Sequence, residues 1–481
     1  MKKEELFEAL ADIDEASVRE AREYRVQKRP VWIRWTALAA CAALVLLAVF
    51  GIPWLKDRKM PGEGGLPSGV IQVKAAYPET IAGGMSAEDF LEGDTHWNWW
   101  KDYVEVFQES EKINEDLAGY YSTMMEKLLA SDDENTVCSP LNTYLAFAML
   151  AETSDGNTRQ QLLDMLHVPD IETLRKNVNA LLASNQLDTP VLKSLLANSI
   201  WLNSAMNYDE DTLKRLAEEY CASSFRGTPG SEEMDEALRT WTDENTGKLL
   251  QEYTKDMHVS KDLVLDIVST IYYKAQWNDN FNPENNTRGV FHGTKNDATV
   301  EMMHRSDMMG AYRTDKFTAV GLNLKDSGNM FFYLPEEGTD VNALLTDPDV
   351  LKATVETEID DPNRLYPLVN LTIPKFKVSE KTDLLPVLRE LGISDASDPE
   401  LSDYTPLTKD RDDIYLAKAD HAAMIEIDEQ GVTGAAYTEL EVDGAGAIIE
   451  EIDFVLDRPF MFVLTGRDGS VLFSGIIRNL D

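Results

Sequence analysis

From Val432 to Asp443 the chain alternates with a period of two. Val432, Gly434, Ala436, Thr438, Leu440 and Val442 fall on one face, small at first and apolar later. Thr433, Ala435, Tyr437, Glu439, Glu441 and Asp443 fall on the other, which becomes increasingly acidic. Such a period predicts a strand buried on one face and wet on the other. The same small, flexible and acidic residues predict an exposed loop. A segment written for both environments is a candidate conformational switch. Elsewhere Leu145–Leu150 reads as a buried helix, and Thr158 with Gln161 as a capping box opening the next one. Leu263–Tyr273, rich in Val, Ile and Tyr, reads as a central strand. Phe460–Leu464 and Val471–Ile477 flank Arg467-Asp468-Gly469, a hairpin signal. Helices mixed with long antiparallel strands, without an internal repeat, predict an α+β fold.

Toward the N-terminus the pattern changes. Trp35–Leu55 is apolar and nearly uncharged, close to the roughly 20 residues a helix needs to cross a bilayer. Trp32, Trp35 and Trp54 stand near its ends, as interfacial aromatics do. Arg19, Arg22, Arg25, Lys28, Arg29 and Arg34 precede it, while only Lys56, Arg58 and Lys59 follow closely. That bias puts the N-terminus in the cytoplasm and the remainder outside. A cleaved signal peptide competes, although its basic start is ordinarily short. Leu38-Ala39-Ala40-Cys41 resembles a lipoprotein cleavage box, although most of the apolar run follows the cysteine. The expectation is a single-pass cell-membrane protein with four parts. Residues 1–30 form a cytoplasmic segment, in which Leu6, Phe7, Leu10, Ile13 and Val18 have roughly helical spacing. Residues 31–56 form the transmembrane anchor, 57–105 a linker and N-terminal extension, and 106–481 the folded extracellular domain. Residues 60–70 are a flexible spacer by composition. His96–Trp100 carries three tryptophans, as a binding patch or as cover for the domain surface.

Charge narrows the partners. Acidic residues outnumber basic ones by 85 to 45, which excludes nucleic acid for the bulk of the protein and favours a cationic partner. Cys41, Cys138 and Cys221 are an odd number without close spacing, so they form no disulfide framework. The six histidines include no metal-ligand pair at helical spacing, and neither a metal nor a cofactor is implied. Walker, GxGxxG and GxSxG signatures are absent, and no nucleophile–base pair is legible, so the expectation is a protein that is not an enzyme.

The switch segment keeps particular company. Asp428 to Ala436 resembles the hinge of the reactive loop of inhibitory serpins. Asn135 to Asn142 resembles the signature that opens that family's central helix. Trp241 to Lys248, Ile271 to Trp277, Phe281, Val300 to His304, Gly321-Leu322 and Met330 to Pro335 follow in family order. Ile373 to Phe376, His421 eight residues before Glu429, and Arg458-Pro459-Phe460 complete the set. The resemblance spans roughly residues 110 to 480 and is carried by the ensemble of motifs.

The resemblance implies a serpin fold, with helices around large sheets and an exposed reactive loop. It implies a suicide inhibitor, a monomer whose cut loop inserts into the main sheet while the protease stays covalently attached. The implied hinge is Glu429, Gly431, Val432, Thr433, Gly434, Ala435, Ala436, Tyr437 and Thr438. The implied sheet-opening residues are Ser139, Asn142, Trp277 and His421. Arg239 stands where an asparagine often partners that histidine, Asn142 where serine is customary, and Gly434 where alanine is usual. Counting about seventeen positions from Glu429 puts the reactive bond at Ala445-Gly446, with Ala447-Ile448 and Ile448-Ile449 as alternatives. All offer a small or β-branched side chain, which matches a serine protease of elastase type. Two other readings stay open: a non-inhibitory surface binding module, and a receptor whose residues 1–30 report loop cleavage.

Overall fold

The computed structural model describes residues 70–73, 75, 81, 85–92, 94–354, 361–432 and 450–480. The chain divides into Met1–Met60 and Pro61–Asp481, and every described residue belongs to the second unit. The expected localisation at a cell membrane, single-pass with an extracellular domain, is corrected. Among the described residues no helix is long and apolar enough to cross a membrane. Trp35–Leu55 lies outside the described residues.

Three sheets carry the architecture. The main sheet runs Ile71–Val73, Ala222–Gly227, Leu192–Asn203, Leu265–Gln276, Gly431–Val432, Asp420–Asp428, Phe376–Asp383, with Leu187–Asp188 paired off this path. A seven-stranded sheet includes Asn329–Pro335, Phe460–Thr465, Val471–Ile477 and Thr136–Cys138. A four-stranded sheet pairs Leu368–Pro374 with Asp297–Met308 and with Glu451–Val455. The strand Leu265–Gln276 fulfils the central-strand expectation, displaced by a few residues, and pairs antiparallel with Leu192–Asn203 from end to end. The hairpin expected around Arg467–Gly469 is present.

Behind the main sheet lies the helix Pro140–Thr153, buried on almost every side between that sheet and the strand Val471–Ile477. A helix apolar all round has to be interior. Pro140 suits its first position, where an N–H would lack an intrahelical partner. The other face of the sheet carries the helix Glu232–Asn245, capped by Ser231, whose Oγ accepts the Met234 N–H. Alternation along Leu192–Asn203 separates the two cores. Leu196, Ile200 and Leu202 join the central one, while Ala197 and Trp201 meet Met234, Leu238 and Trp241. Trp201 there stacks on Phe225 at 4.2 Å.

Two local expectations give way to tertiary contacts. The helix Gly156–Met165 begins earlier than the capping box predicts, with Asp155 at its N-cap. Thr158 Oγ1 instead accepts the Asp403 N–H, and Gln161 Oε1 accepts those of Ser394 and Asp395. The pair fastens a distant loop rather than its own helix. The helix Asp94–Leu129 runs unbroken past residue 105, where the sequence set a boundary, and Ile71–Val73 adds an edge strand to the main sheet. The tryptophans ride on that helix. Trp99 stacks on Tyr103, Trp100 lies beneath the Arg467 guanidinium at 3.8 Å, and Trp97 is exposed.

Glu152, 1% exposed at the end of the central helix, gathers its surroundings. Arg175 donates to both carboxylate oxygens at 2.8 Å, Arg215 Nε donates at 2.8 Å and the Tyr220 hydroxyl at 3.1 Å. Burial pushes the carboxyl up, and the bonds and charges of the two arginines hold it below its ordinary value. Glu152→Ala removes the anion and leaves both guanidiniums behind. Because these reach solvent, the expected loss is toward the lower end for such clusters, about 3 kcal/mol, read as a lowered urea midpoint. An unchanged midpoint contradicts the assignment.

Candidate functional site: a slot in the main sheet

The strands Leu265–Gln276 and Asp420–Asp428 are neighbours that do not pair with each other. Among the described residues they are joined only by the two-residue strand Gly431–Val432. Gly431 pairs with Gln276 and Asp428, and Val432 with Ala275 and Ile427, antiparallel on both sides. Adjacent strands sit about 4.8 Å apart, so the flanking pair is held roughly two such spacings apart here. This geometry is a slot one strand wide, with the first two residues of a strand already in its mouth.

The local sequence builds that mouth. Asp428 Oδ1 accepts the N–H groups of Gln430 (2.8 Å) and Gly431 (3.2 Å), closing a turn of the kind aspartate favours. Gly431 has φ +155°, and a Cβ there would overlap the Ala275 carbonyl oxygen. Only glycine allows that approach. The buried Trp277 donates its indole N–H to the Asp428 carbonyl at 2.9 Å and its backbone N–H to that of Gln430 at 3.0 Å. The Phe281 N–H donates to the Glu429 carbonyl at 2.9 Å. The Glu429 side chain, 9% exposed, takes Lys375 Nζ at 2.5 Å and Asn286 Nδ2 at 2.5 Å. Lys375 and Asn286 also reach Glu301, at 3.0 and 2.8 Å. Burial pushes the Glu429 carboxyl up, but its hydrogen bonds and the Lys375 charge outweigh this and keep it low. The turn before the slot is therefore anchored on both strands' surroundings.

Farther along, side chains from the central helix meet the inner face of the same two strands. The Ser139 N–H donates to His421 Nε2 at 3.0 Å. That bond needs an unprotonated Nε2, so the ring is neutral with its hydrogen on Nδ1. The Ser139 hydroxyl donates to the Leu472 carbonyl at 2.5 Å. Asn142 donates to the Ser269 carbonyl at 3.0 Å and accepts the Ser269 hydroxyl. The helix thus holds one flanking strand through His421 and the other through Ser269.

Of the residues the sequence singled out, Ser139, Asn142 and His421 lie together on the slot's inner side. Trp277 is elsewhere, with Glu429, Gly431 and Val432 at the mouth. Arg239 does not face His421; it bonds Glu232 and the Met257 carbonyl. Thr433, Gly434, Ala435, Ala436, Tyr437 and Thr438 lie outside the described residues, as do Ala445, Gly446, Ala447, Ile448 and Ile449. The sequence reading gave Lys375 no role and passed over Asn286. Its one signal was the motif Ile373-Pro374-Lys375-Phe376, which sets the lysine at the start of the next strand over.

The site thus presents a short strand, led by a glycine, held between two edges of the main sheet. The chain matches the family model Serpin, serine protease inhibitor, over residues 118–480, and belongs to the serpin family. Members are in general protease inhibitors rather than catalysts, and they form covalent complexes with serine proteases. Among curated proteins it is 27% identical to Serpin-ZX of Arabidopsis thaliana, over 72% of this chain and 92% of that one. Two solved structures share the fold. The native state of the thermophilic serpin tengpin has a TM-score of 0.68 at 22% identity, covering 77% of this chain and 94% of its own. Thyroxine-binding globulin in complex with thyroxine has a TM-score of 0.65 at 21% identity, covering 77% and 99%.

Two outcomes follow from the geometry. Gly431→Ala places a methyl against the Ala275 carbonyl and is expected to lower the denaturant midpoint, by about 1–3 kcal/mol of stability. A neutral effect contradicts the close approach. Burial pushes the His421 imidazole down to about 4, against about 6.5 when unfolded. Between those values the unfolded chain takes up the proton more readily. The contribution is therefore complete above pH 6.5 and lost as pH falls toward 4, on the order of 3 kcal/mol. Denaturation from pH 7.5 to 4 should show a shallower decline for His421→Gln than for the parent. Parallel declines overturn the assignment.

Proposed function

We propose that this chain is an inhibitory serpin, a suicide substrate for a serine protease of elastase type. The single observation that carries the reading is the pairing of Gly431 and Val432 with both edges of the slot. A strand begun in that position can be continued only by the residues after it. Val432 faces the core, 2% exposed, so a strand continued from it would turn Gly434, Ala436, Thr438, Leu440 and Val442 inward. Small residues come first, where a packed interior resists added bulk at about 1–3 kcal/mol. The acidic residues keep to the solvent side.

In this reading the protease attacks at Ala445-Gly446, or at Ala447-Ile448 or Ile448-Ile449, and forms an acyl-enzyme. The cut segment from Val432 onward then enters the slot, carrying the acylated protease with it. Hydrolysis competes with insertion, so the outcome depends on relative rates. An aliphatic residue at each candidate bond suits a small specificity pocket. The acidic loop and the net charge of −40 favour a cationic protease.

The test mixes the full chain with pancreatic elastase and resolves the products on a denaturing gel. The expected result is a boiling-resistant band enlarged by the protease, with mass spectrometry locating the ester at one of those bonds. Association should also slow as salt rises. A clean cut that leaves elastase and a panel of other serine proteases active overturns the reading. It would favour a non-inhibitory binding protein; thyroxine-binding globulin, which shares the fold, binds thyroxine.

A further inference from the structure

The mouth of the slot has a support that reaches it from outside the main sheet. Leu192 pairs with Ala275, so Gln276, the partner of Gly431, lies one residue past the end of that neighbouring strand. What holds Gln276 there is the turn 324–328, which joins the paired strands Phe317–Asn323 and Asn329–Pro335. The Gln276 carbonyl accepts the Lys325 N–H at 2.9 Å, and the Asn278 N–H donates to the Asn323 carbonyl at 2.8 Å. Trp277 forms a bridge with Leu324, and the hydroxyls of Tyr273 and Ser327 meet at 2.7 Å. Behind the turn stands the hairpin that carries Arg467. The Asn329 N–H donates to Thr465 Oγ1 at 3.2 Å, and a Cβ on Gly328 would overlap the Thr465 and Gly466 carbonyl oxygens. The turn is therefore wedged between that hairpin and the end of the slot's edge strand.

The start of the helix Asp94–Leu129 fastens this wedge. His96 Nε2 donates to Asp326 Oδ1 at 2.8 Å. The Asp326 side chain is 9% exposed, and its Oδ2 finds no hydrogen-bond partner among the described residues. Asp326 has φ +54°, a left-handed conformation that aspartate tolerates. Without His96, a buried carboxylate would lose its bond at the centre of the turn, a costly state. The imidazole is itself held in place. Phe90, buried in the short helix Ala87–Glu92, meets its ring edge-on at 5.1 Å, and Trp99 lies 5.8 Å away. His96 and Trp100 are four residues apart and share a helix face. One takes the turn through Asp326, and the other takes the hairpin through Arg467. We propose that His96 and Asp326 are positioning residues for the slot, by which the N-terminal helix fixes the strand end that pairs with Gly431. Release of this helix end loosens the mouth, so the N-terminal extension is a control on the slot. The proposal goes beyond the inhibitory reading and does not require it, since it concerns the intact chain.

The test is hydrogen–deuterium exchange on the full chain, comparing the parent with His96→Leu, His96→Gln, Asp326→Gly and the double variant His96→Leu with Asp326→Gly. Glycine accepts φ +54° without strain, so Asp326→Gly removes the carboxylate and keeps the turn. His96→Leu and Asp326→Gly are each expected to speed exchange of the Trp277, Asn278 and Lys325 amides about tenfold or more, with Val471–Ile477 unchanged. The double variant should exchange no faster there than either single one, because both remove the same bond. His96→Gln, whose amide reaches to where Nε2 stood, should stay near the parent. Parent-like exchange at those three amides in both single variants overturns the proposal. So does uniform acceleration across the domain, the mark of a purely structural role, and so do effects that simply add in the double variant. None of these outcomes bears on the inhibitory reading, which the elastase gel decides.

Discussion

Backbone N–H and carbonyl groups inside a protein have to be paired, so two strands set one strand's width apart need a third between them to satisfy both edges. The strands Leu265–Gln276 and Asp420–Asp428 are long enough to form a ladder with each other, yet among the described residues they meet only across Gly431 and Val432. Everything nearby can be understood as holding that separation. At the mouth, Trp277, Phe281, Lys375 and Asn286 fix the turn that leads Gly431 inward. Deeper, one helix grips each strand separately, His421 through Ser139 and Ser269 through Asn142. The inner contacts hold each strand separately, whereas at the mouth Trp277, next after Gln276, bonds directly to Asp428 of the other strand.

This division explains the unequal character of the two sites. The mouth is ionic and turn-like, and its anchor Glu429 is buried only because Lys375 and Asn286 compensate it. The inner site is neutral. A protonated His421 would lose the Ser139 N–H as donor and bring a charge into the core, so the site depends on an uncharged ring. Under the proposed insertion, an ionic clamp at the inner site would add a desolvation cost when the strand arrives. A neutral one can exchange partners with little penalty.

The sequence revealed these features unevenly. The period of two starting at Val432 placed that residue on the inward face, where the structure has it, while the rest of the segment lies outside the described residues. Buried helix, central strand and hairpin were legible because their patterns are local. The capping box at Thr158 and Gln161 misled because its acceptor oxygens take N–H groups from residues 394–403, far away in sequence. Trp277 and His421 were grouped by family likeness, although the fold sets the first beside Asp428 and the second beside Ser139. Lys375 could not be paired with Glu429 from sequence, since fifty-odd intervening residues hide their meeting. Residues 71–73 offered too short a pattern to reveal an edge strand, which exists only because Ala222–Gly227 presents an edge to it.

The inward face of the switch segment contains one hydroxyl among small and apolar residues, at Thr438. Judged by propensity alone it is an ordinary strand residue. If the pairing of Gly431 and Val432 were continued, as the proposed insertion requires, it would come opposite Ser269 on one side and His421 on the other, the two polar groups the central helix holds. An alanine there would bury both without an added partner, and a charged residue would meet a neutral ring. Threonine can donate or accept, and its methyl fills the remaining space. Under the proposed insertion, the composition of the segment would match the floor it covers: small at the entrance, polar where the helix presents polar groups, and apolar beyond them.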